Sequence, residues 1–200
     1  MSTPAGRPYR LYRRRAELLS AAKLLFAERG YDATSMGAIA DRVGVTKAAL
    51  YYYLPSKAEL LRAVTRPNRA ALLSVVDSAM STGAPAVDRL DRLLRDLTVL
   101  VADDPPGFAL IWRAHGATAS DGQVSTCRDT LFRCLLDLVE QAATEGGIRG
   151  DLDPRIAAQL LLWAMAPPTG PNGRAIACDC PHTLADILLA GLTEDRNQQG

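Results

Sequence analysis

The chain has 200 residues, of which 48% are hydrophobic and 22% charged, so it is long enough for one large or two small domains with a proper core. Four cysteines, Cys127, Cys134, Cys178 and Cys180, are too few for a disulfide framework, and the Arg-rich N-terminus lacks the apolar stretch of a signal peptide. No apolar run of about 18 residues is present to span a membrane. We therefore expect a cytoplasmic protein with reduced thiols.

The charges are unevenly distributed along the chain. Residues 1–66 contain 12 Lys and Arg against 5 Asp and Glu, whereas residues 67–200 contain 11 against 17. The net charge of +1 therefore conceals a basic first third and an acidic remainder. A basic surplus confined to one part of a chain indicates a surface that docks onto a polyanion such as DNA.

The N-terminal segment, residues 1–9, contains Pro and Gly, and we expect a disordered basic arm there. Arginines continue from this arm into a first helix predicted over about residues 12–29, and Arg14 is our candidate DNA contact among them. Such an arm can lie along phosphates, enter the minor groove or remain a solvated tail. We favour phosphate contact because the arm adjoins the segment described next.

Two short helices joined by a tight turn are predicted between Thr34 and Tyr53. Ser35 or Thr34 can cap the first of them, and Gly44 tolerates the positive φ that a helix needs to stop and reverse. Thr46 caps the second, which covers residues 47–53 and ends before a proline. A helical pair of this kind can simply pack against other helices, but Lys and Tyr on its second member are typical of a DNA-binding helix-turn-helix.

The run from Leu18 to Val64 resembles the N-terminal domain of TetR-type bacterial transcriptional regulators. The elements G-Y-x-x-T-S, I-A-x-x-x-G-V and L-Y-Y-x-x-x-S-K all stand at that family's spacing. Beyond the first third of the chain only the helix pattern and the length match. The resemblance implies an all-α fold of about nine helices, with an N-terminal three-helix helix-turn-helix DNA-binding domain and a C-terminal helical ligand-binding and dimerisation domain. It divides the chain into the arm 1–9, a DNA-binding domain 10–57, an effector-binding and dimerisation domain 58–192 and a polar tail 193–200.

The candidate DNA contacts come from this resemblance and from the helix pattern. The hydroxyls of Thr34 and Ser35 are expected near phosphate, at the start of the first helix of the pair. By resemblance, Thr46, Lys47, Ala48 and Ala49 meet base edges or the adjacent backbone, while Tyr51, Tyr52 and Lys57 match phosphate-contacting positions. Lys47 is the one obvious side chain for a guanine edge, and the alanine methyl groups suit thymine.

Further predictions concern the order of the C-terminal elements. A fourth helix should start at Ser56 and kink or break near Thr65, because Pro67 lies inside it. Residues 104–107, Asp-Pro-Pro-Gly, are predicted as a turn. The other helices are predicted at about 86–102, 108–118, 124–144, from Pro154 to a stop at Pro167-Pro168, and 182–192.

The C-terminal half should hold a small-molecule cavity, as the resemblance implies. Its mainly apolar candidates suggest a hydrophobic or acyl-type effector, although plain core packing competes for each position singly. His115 stands out as a titratable group amid apolar helix. The candidate lining is Met80, Leu97, Val101, Phe108, Trp112, His115 and Phe132.

The helix that starts at Pro154 is apolar nearly all round, so one of its faces is expected against a second subunit. The resemblance implies that the last two helices pack against their symmetry mates as a four-helix dimer interface. The early double proline predicts a smaller interface than usual or one that borrows other segments. The candidate interface residues are Ile156, Leu160, Trp163, Leu184, Ile187 and Leu188.

Catalysis and metal binding find little support in the sequence. There are two histidines, no Gly-rich phosphate loop and no nucleophile elbow, so we predict neither an enzyme nor a cofactor. Cys178, Cys180 and His182 lack a fourth ligand at zinc spacing, and we predict no metal site. Cys127 and Cys134 lie seven residues apart on one helix and are expected to be core thiols.

These observations predict a homodimeric repressor that binds a palindromic double-stranded DNA operator and is released by a small molecule. It would be cytoplasmic and nucleoid-associated when bound to DNA. Two alternatives stay open at this point: a DNA-binding regulator controlled by a partner protein, and a helical enzyme whose helix-turn-helix is incidental.

Overall fold

The computed structural model describes the backbone of residues 6–113, 122–167 and 181–193, and the side chains of residues 14–113, 126–167 and 183–193. Nine helices and no strand occur in these ranges, which confirms the predicted all-α fold. The helices are α1 (Gly6–Arg29), α2 (Met36–Val43), α3 (Lys47–Tyr53), α4 (Lys57–Met80), α5 (Ala86–Asp103), α6 (Pro105–Trp112), α7 (Gly122–Thr144), α8 (Pro154–Ala164) and α9 (Pro181–Leu192).

The predicted caps of the helix-turn-helix are present. Of the two alternatives for α2, Ser35 is the cap, since its hydroxyl accepts from the backbone N–H of Ala38 at 3.1 Å. Gly44 ends α2 with a φ of 69°, the left-handed conformation that glycine adopts without steric cost. Thr46 caps α3, and Ser56 caps α4. Local side-chain chemistry therefore sets the start of each of these helices.

Two hydrophobic cores are built from the helices. The first is formed by α1, α2, α3 and the beginning of α4, and it also contains Leu110 of α6. The second is formed by the rest of α4 with α5, α6, α7, α8 and α9. Because α4 supplies Leu60 to the first core and Leu72 to the second, this helix is common to both. The sequence-based domain boundary at residue 57 stays a prediction.

The fourth helix was predicted to kink or break near Thr65, and of these two alternatives the break is wrong. A single helix, α4, runs through Pro67. Proline in a helix interior costs about 3 kcal/mol, because it removes one backbone hydrogen bond and crowds the preceding turn. The residues on either side compensate: Thr65 and Asn68 are buried, and the Thr65 hydroxyl donates to the Leu61 carbonyl at 2.9 Å. Tertiary packing on both sides of Pro67 therefore keeps the helix continuous.

Two other boundaries also differ from the predictions. Residues 104–107 are not a turn, because α6 begins at Pro105 with Asp104 as its N-cap, and α6 ends at Trp112. Residues 6–9, expected to be disordered, belong to α1, while residues 1–5 lie outside the described part of the chain. The predicted tail lies almost wholly in residues 194–200, which are also outside it.

Candidate nucleic-acid interface and effector pocket

Helix α3 has one anchored face and one exposed face. Leu50 is fully buried and fixes α3 against the first core. Lys47, Ala48 and Tyr51 of the same helix are exposed, and Tyr52 is 83% exposed. The structure thus brings four of the sequence-predicted DNA contacts together on one accessible surface. Thr46 is exposed at the start of this helix, and Ala49 is half-buried beside it.

Thr34 is a correction to the predicted set. It is 1% exposed, and its hydroxyl donates to the carbonyl oxygens of Gly30 at 2.8 Å and Leu25 at 3.2 Å. These carbonyls lie at the C-terminal end of α1, where the helix leaves acceptors without backbone partners. The Thr34 hydroxyl therefore holds the end of α1 and does not face a phosphate. Ser35, the next residue, remains exposed.

Lys57 is held at the first turn of α4 by the loop between α1 and α2. Its Nζ lies 4.3 Å from the centroid of the Tyr31 ring and donates to the Asp32 carbonyl at 3.3 Å. Tyr31 in turn packs on Phe26, with ring centroids 5.4 Å apart. Lys57 was a predicted DNA contact, whereas its contact with the Tyr31 ring was not predicted. The available signal was an aromatic residue directly after the glycine that ends α1.

Arg14, the candidate from the basic arm, is an exposed residue of α1. Its guanidinium pairs with Glu17 at 3.1 Å, and the two side chains are 50% and 38% exposed. An ion pair this exposed contributes little to stability and competes weakly with a phosphate. The side chains of the arginines that precede it lie outside the described residues.

Helix α6 connects the first core to the second. At its start, Asp104 Oδ2 accepts from Lys23 of α1 at 2.8 Å and from Asn68 of α4 at 3.1 Å. Just after its end, Arg113 donates to the Ala27 carbonyl of α1 at 3.0 Å. Between these points, Leu110 enters the first core while other α6 side chains enter the second. A displacement of α6 would therefore change its contacts with α1.

The structure places the predicted effector residues in different surroundings. Leu97, Val101 and Phe108 are buried in the second core, whereas Met80 is exposed at the end of α4. His115 lies outside the described residues. Among the predicted residues whose side chains the structure describes, Trp112 and Phe132 line one cleft together.

That cleft lies between α6, α7 and α8 and has a volume of about 300 Å³. Trp112 Nε1 donates to the Leu162 carbonyl at 3.2 Å, and Arg128 donates to the Trp112 carbonyl at 3.4 Å, so its walls are fixed to one another. Three aromatic rings and three polar side chains give it both an apolar and a polar part. Its lining is Trp112, Arg128, Asp129, Phe132, Gln159, Leu162 and Trp163.

The candidate interface residues include an exposed apolar stripe on α8. Ile156, Leu160 and Trp163 follow the helical repeat and are 61%, 55% and 65% exposed. On α9, Ile187 is 64% exposed, and Leu184 and Leu188 are half-buried. Large apolar side chains aligned on one exposed face indicate a surface that another molecule covers.

The described side chains contain no candidate catalytic or metal centre. Burial raises the pKa of the Cys127 and Cys134 thiols from 9.0 to about 11, so both are protonated near neutral pH. Within the described residues, no three metal-ligating side chains lie together. Cys178, Cys180 and the side chain of His182 are outside this set. Among the described helices, none has the length and apolarity to cross a membrane.

Comparison with known proteins identifies the family to which this helical arrangement belongs. The family model described as "Bacterial regulatory proteins, tetR family" matches residues 18–64, which hold the helix-turn-helix. The nucleoid occlusion factor SlmA of Marinobacter nauticus is 30% identical over 146 residues, which cover 73% of this chain and 74% of SlmA. The chain belongs to the TetR family. It is accordingly a DNA-binding transcriptional regulator rather than an enzyme.

Other TetR-type relatives resemble this chain to different extents. The transcriptional activator FasR of Mycolicibacterium smegmatis is 37% identical over 125 residues, which span 60% of this chain and 57% of FasR. The transcriptional repressor KstR2 of the same organism is 23% identical, over 93% of this chain and 94% of KstR2. The structure of AibR with isovaleryl coenzyme A and operator DNA is 26% identical and covers 90% of this chain and 97% of AibR, with a TM-score of 0.68.

Proposed function

We propose that the protein is a homodimeric repressor that binds a palindromic operator and is released by a small molecule. The observation that carries this proposal is the exposed face of α3, on which Lys47, Ala48, Tyr51 and Tyr52 lie together. A short helix anchored by Leu50 can enter the major groove without rearrangement of the core behind it. Ser35 and Lys57 flank this face at the starts of α2 and α4, where phosphates would pass.

The stripe on α8 supports the dimer. Ile156, Leu160 and Trp163 would face their symmetry mates, with Ile187 of α9 beside them. Two copies joined in this way would place two α3 helices in successive major grooves, about one helical turn of DNA apart. A symmetric protein of this kind favours a palindromic site. We propose residues 10–57 as the DNA-reading part, residues 58–192 as the effector and dimer part, and the cytoplasm as the location.

The cleft between α6, α7 and α8 is the proposed effector site. Its rings suit an apolar or acyl group, and Arg128 and Gln159 provide polar contacts for a head group. AibR, a relative in structure, was crystallised with isovaleryl coenzyme A, which supports an acyl-bearing effector. Trp112 of α6 lines the cleft, and Asp104 at the other end of α6 contacts α1. Effector binding would therefore shift α6 and, through it, the spacing of the two α3 helices.

Release of DNA requires the effector to bind the non-binding state more tightly than the DNA-binding state. A coupling of about 1–3 kcal/mol changes operator affinity roughly 5- to 150-fold. We propose repression rather than activation because KstR2, a named repressor, matches nearly the whole chain, whereas the named activator FasR matches 60% of it.

The test is fluorescence anisotropy of the purified protein on labelled duplexes from around its own gene, across a salt series, with a random duplex as control. We expect one palindromic duplex to bind far more tightly than the control, and a set of short acyl-coenzyme A esters to weaken that binding. Equal affinity for every duplex at every salt concentration would overturn the sequence-specific role. Specific binding that none of the esters alters would overturn the acyl effector alone.

A further inference from the structure

The pair formed by Tyr31 and Lys57 joins the loop after α1 to the first turn of α4. The Lys57 ammonium lies over the face of the Tyr31 ring, 4.3 Å from its centroid, where the negative face of an aromatic ring attracts a cation. It also donates to the Asp32 carbonyl at 3.3 Å. Two independent contacts from one loop therefore fix the position of this ammonium group.

The geometry leaves this ammonium able to bind an anion. A lysine ammonium has three donors, and the Asp32 carbonyl accepts one of them, while a ring face takes none as a conventional hydrogen bond. Lys57 is the first residue of α4, a 24-residue helix whose positive end reinforces attraction for negative charge. A flexible lysine would have to be ordered when it meets a phosphate, which opposes binding, whereas this one is already ordered.

We infer that Tyr31 is a positioning residue for DNA binding: its ring holds the Lys57 ammonium in place to meet a backbone phosphate beside α3. The inference rests on the proposed phosphate contact of Lys57. It differs from the role of Tyr31 as a core residue, which its packing on Phe26 already provides. The two roles are separable, because only the positioning role disappears when Lys57 is absent.

The experiment is a double-mutant cycle on DNA affinity. Tyr31→Leu keeps apolar bulk and removes the ring, Lys57→Met keeps the stem and removes the charge, and the third variant combines them. Tyr31→Phe is the matched control because it keeps the ring. Each variant is measured by anisotropy on the operator duplex and on a random duplex across a salt series.

Tyr31→Leu should weaken binding about two- to fivefold for each half-site, and about four- to twenty-five-fold for a dimer on two half-sites. Tyr31→Phe should bind like the wild type. In the Lys57→Met background, Tyr31→Leu should cause no further loss. Lys57→Met should also lower the slope of log affinity against log salt by about 0.9 for each phosphate that the lysine neutralises in the wild type.

Equal losses from Tyr31→Leu with and without Lys57 would overturn the inference and leave Tyr31 a packing residue. If Tyr31→Leu lowers the melting temperature too far for measurement, pentafluorophenylalanine at position 31 keeps the shape and removes the negative ring face. Its affinity should then fall relative to Tyr31→Phe, and equal affinities would again overturn the inference. A failure of the proposed function would give a different result: the wild type would bind the operator duplex and the random duplex with equal affinity. The double-mutant cycle could still be measured on the random duplex in that case.

Discussion

The Lys23 ammonium lies 2.8 Å from Asp104 Oδ2, and this ion pair joins α1 to the N-terminal cap of α6. Both side chains are less than one third exposed, and Asn68 donates to the same carboxylate oxygen. The opposite end of α6 carries Trp112, which lines the cleft. A single eight-residue helix thus connects the proposed effector site to α1, a helix of the proposed DNA-reading part.

Lys23→Met should weaken this connection. We expect a loss of about 1 kcal/mol in the free energy of unfolding, since the pair is partly buried and hydrogen-bonded. Operator affinity without effector should change little, whereas the change that an effector causes should shrink. Urea unfolding and anisotropy with and without effector measure the two effects. Arg92→Ala is the control, because its pair with Asp96 spans 3.8 Å on the exposed face of α5.

Substitution of Lys47 and of Lys57 should affect DNA binding in different ways. Lys57→Ala should weaken binding to operator and random duplexes alike and flatten the salt dependence, because it removes a phosphate contact. Lys47→Ala should relax the preference at particular base pairs by about 1–3 kcal/mol, because Lys47 lies on the exposed face of α3. Anisotropy on duplexes with single base-pair changes distinguishes the two. A uniform loss from both variants would show that Lys47 does not read bases.

Leu160→Glu should convert the protein to a monomer. A charge placed in the middle of the α8 stripe would be buried unpaired in a dimer, whereas the monomer leaves this side chain more than half exposed. Sedimentation equilibrium should show half the mass, with unchanged helical circular dichroism and much weaker operator binding. Val99→Glu is the matched control, as it places the same charge at an exposed apolar position on another helix, α5. A dimer that persists in Leu160→Glu would refute this interface.

The two buried thiols should make the protein less stable at alkaline pH. Their pKa is about 11 in the folded chain and 9.0 ordinarily, so above pH 9 the unfolded chain loses protons that the folded chain retains. Their contribution to stability is therefore fully present below about pH 9 and is lost as pH rises towards 11. The free energy of unfolding, measured by urea titration over this range, should fall less steeply in the Cys127→Ala, Cys134→Ala double variant. Identical pH profiles would contradict the prediction.

The features predicted correctly from the sequence are mostly those set by residues close together in the chain. The caps at Ser35, Thr46 and Ser56 involve residues three apart in the chain, so side-chain type and spacing suffice. The start of α6 carries the same Asp-Pro signal as the start of α8, yet two further residues, Pro106 and Gly107, made it look like a turn.

Non-local contacts explain what could not be predicted. Thr34 looks like an N-terminal hydroxyl in sequence, and only the position of the α1 carbonyls shows that it is buried. Pro67 looks like a helix breaker until Thr65 and Asn68 are seen to be packed on either side. The cleft combines Trp112, Phe132 and Trp163 from three helices, and no periodicity within one helix could bring them together.

The sharing of α4 between the two cores has a practical consequence for dissecting the protein. A fragment that ends at residue 57 would lack Leu60, Leu61 and Val64, all buried in the first core, as well as Leu110. The apolar surface that remains in this fragment would face water, so the isolated DNA-reading part is expected to aggregate or stay unfolded. The two cores should instead melt as one cooperative unit, and a substitution deep in the second core should lower the temperature at which the DNA-reading surface is lost.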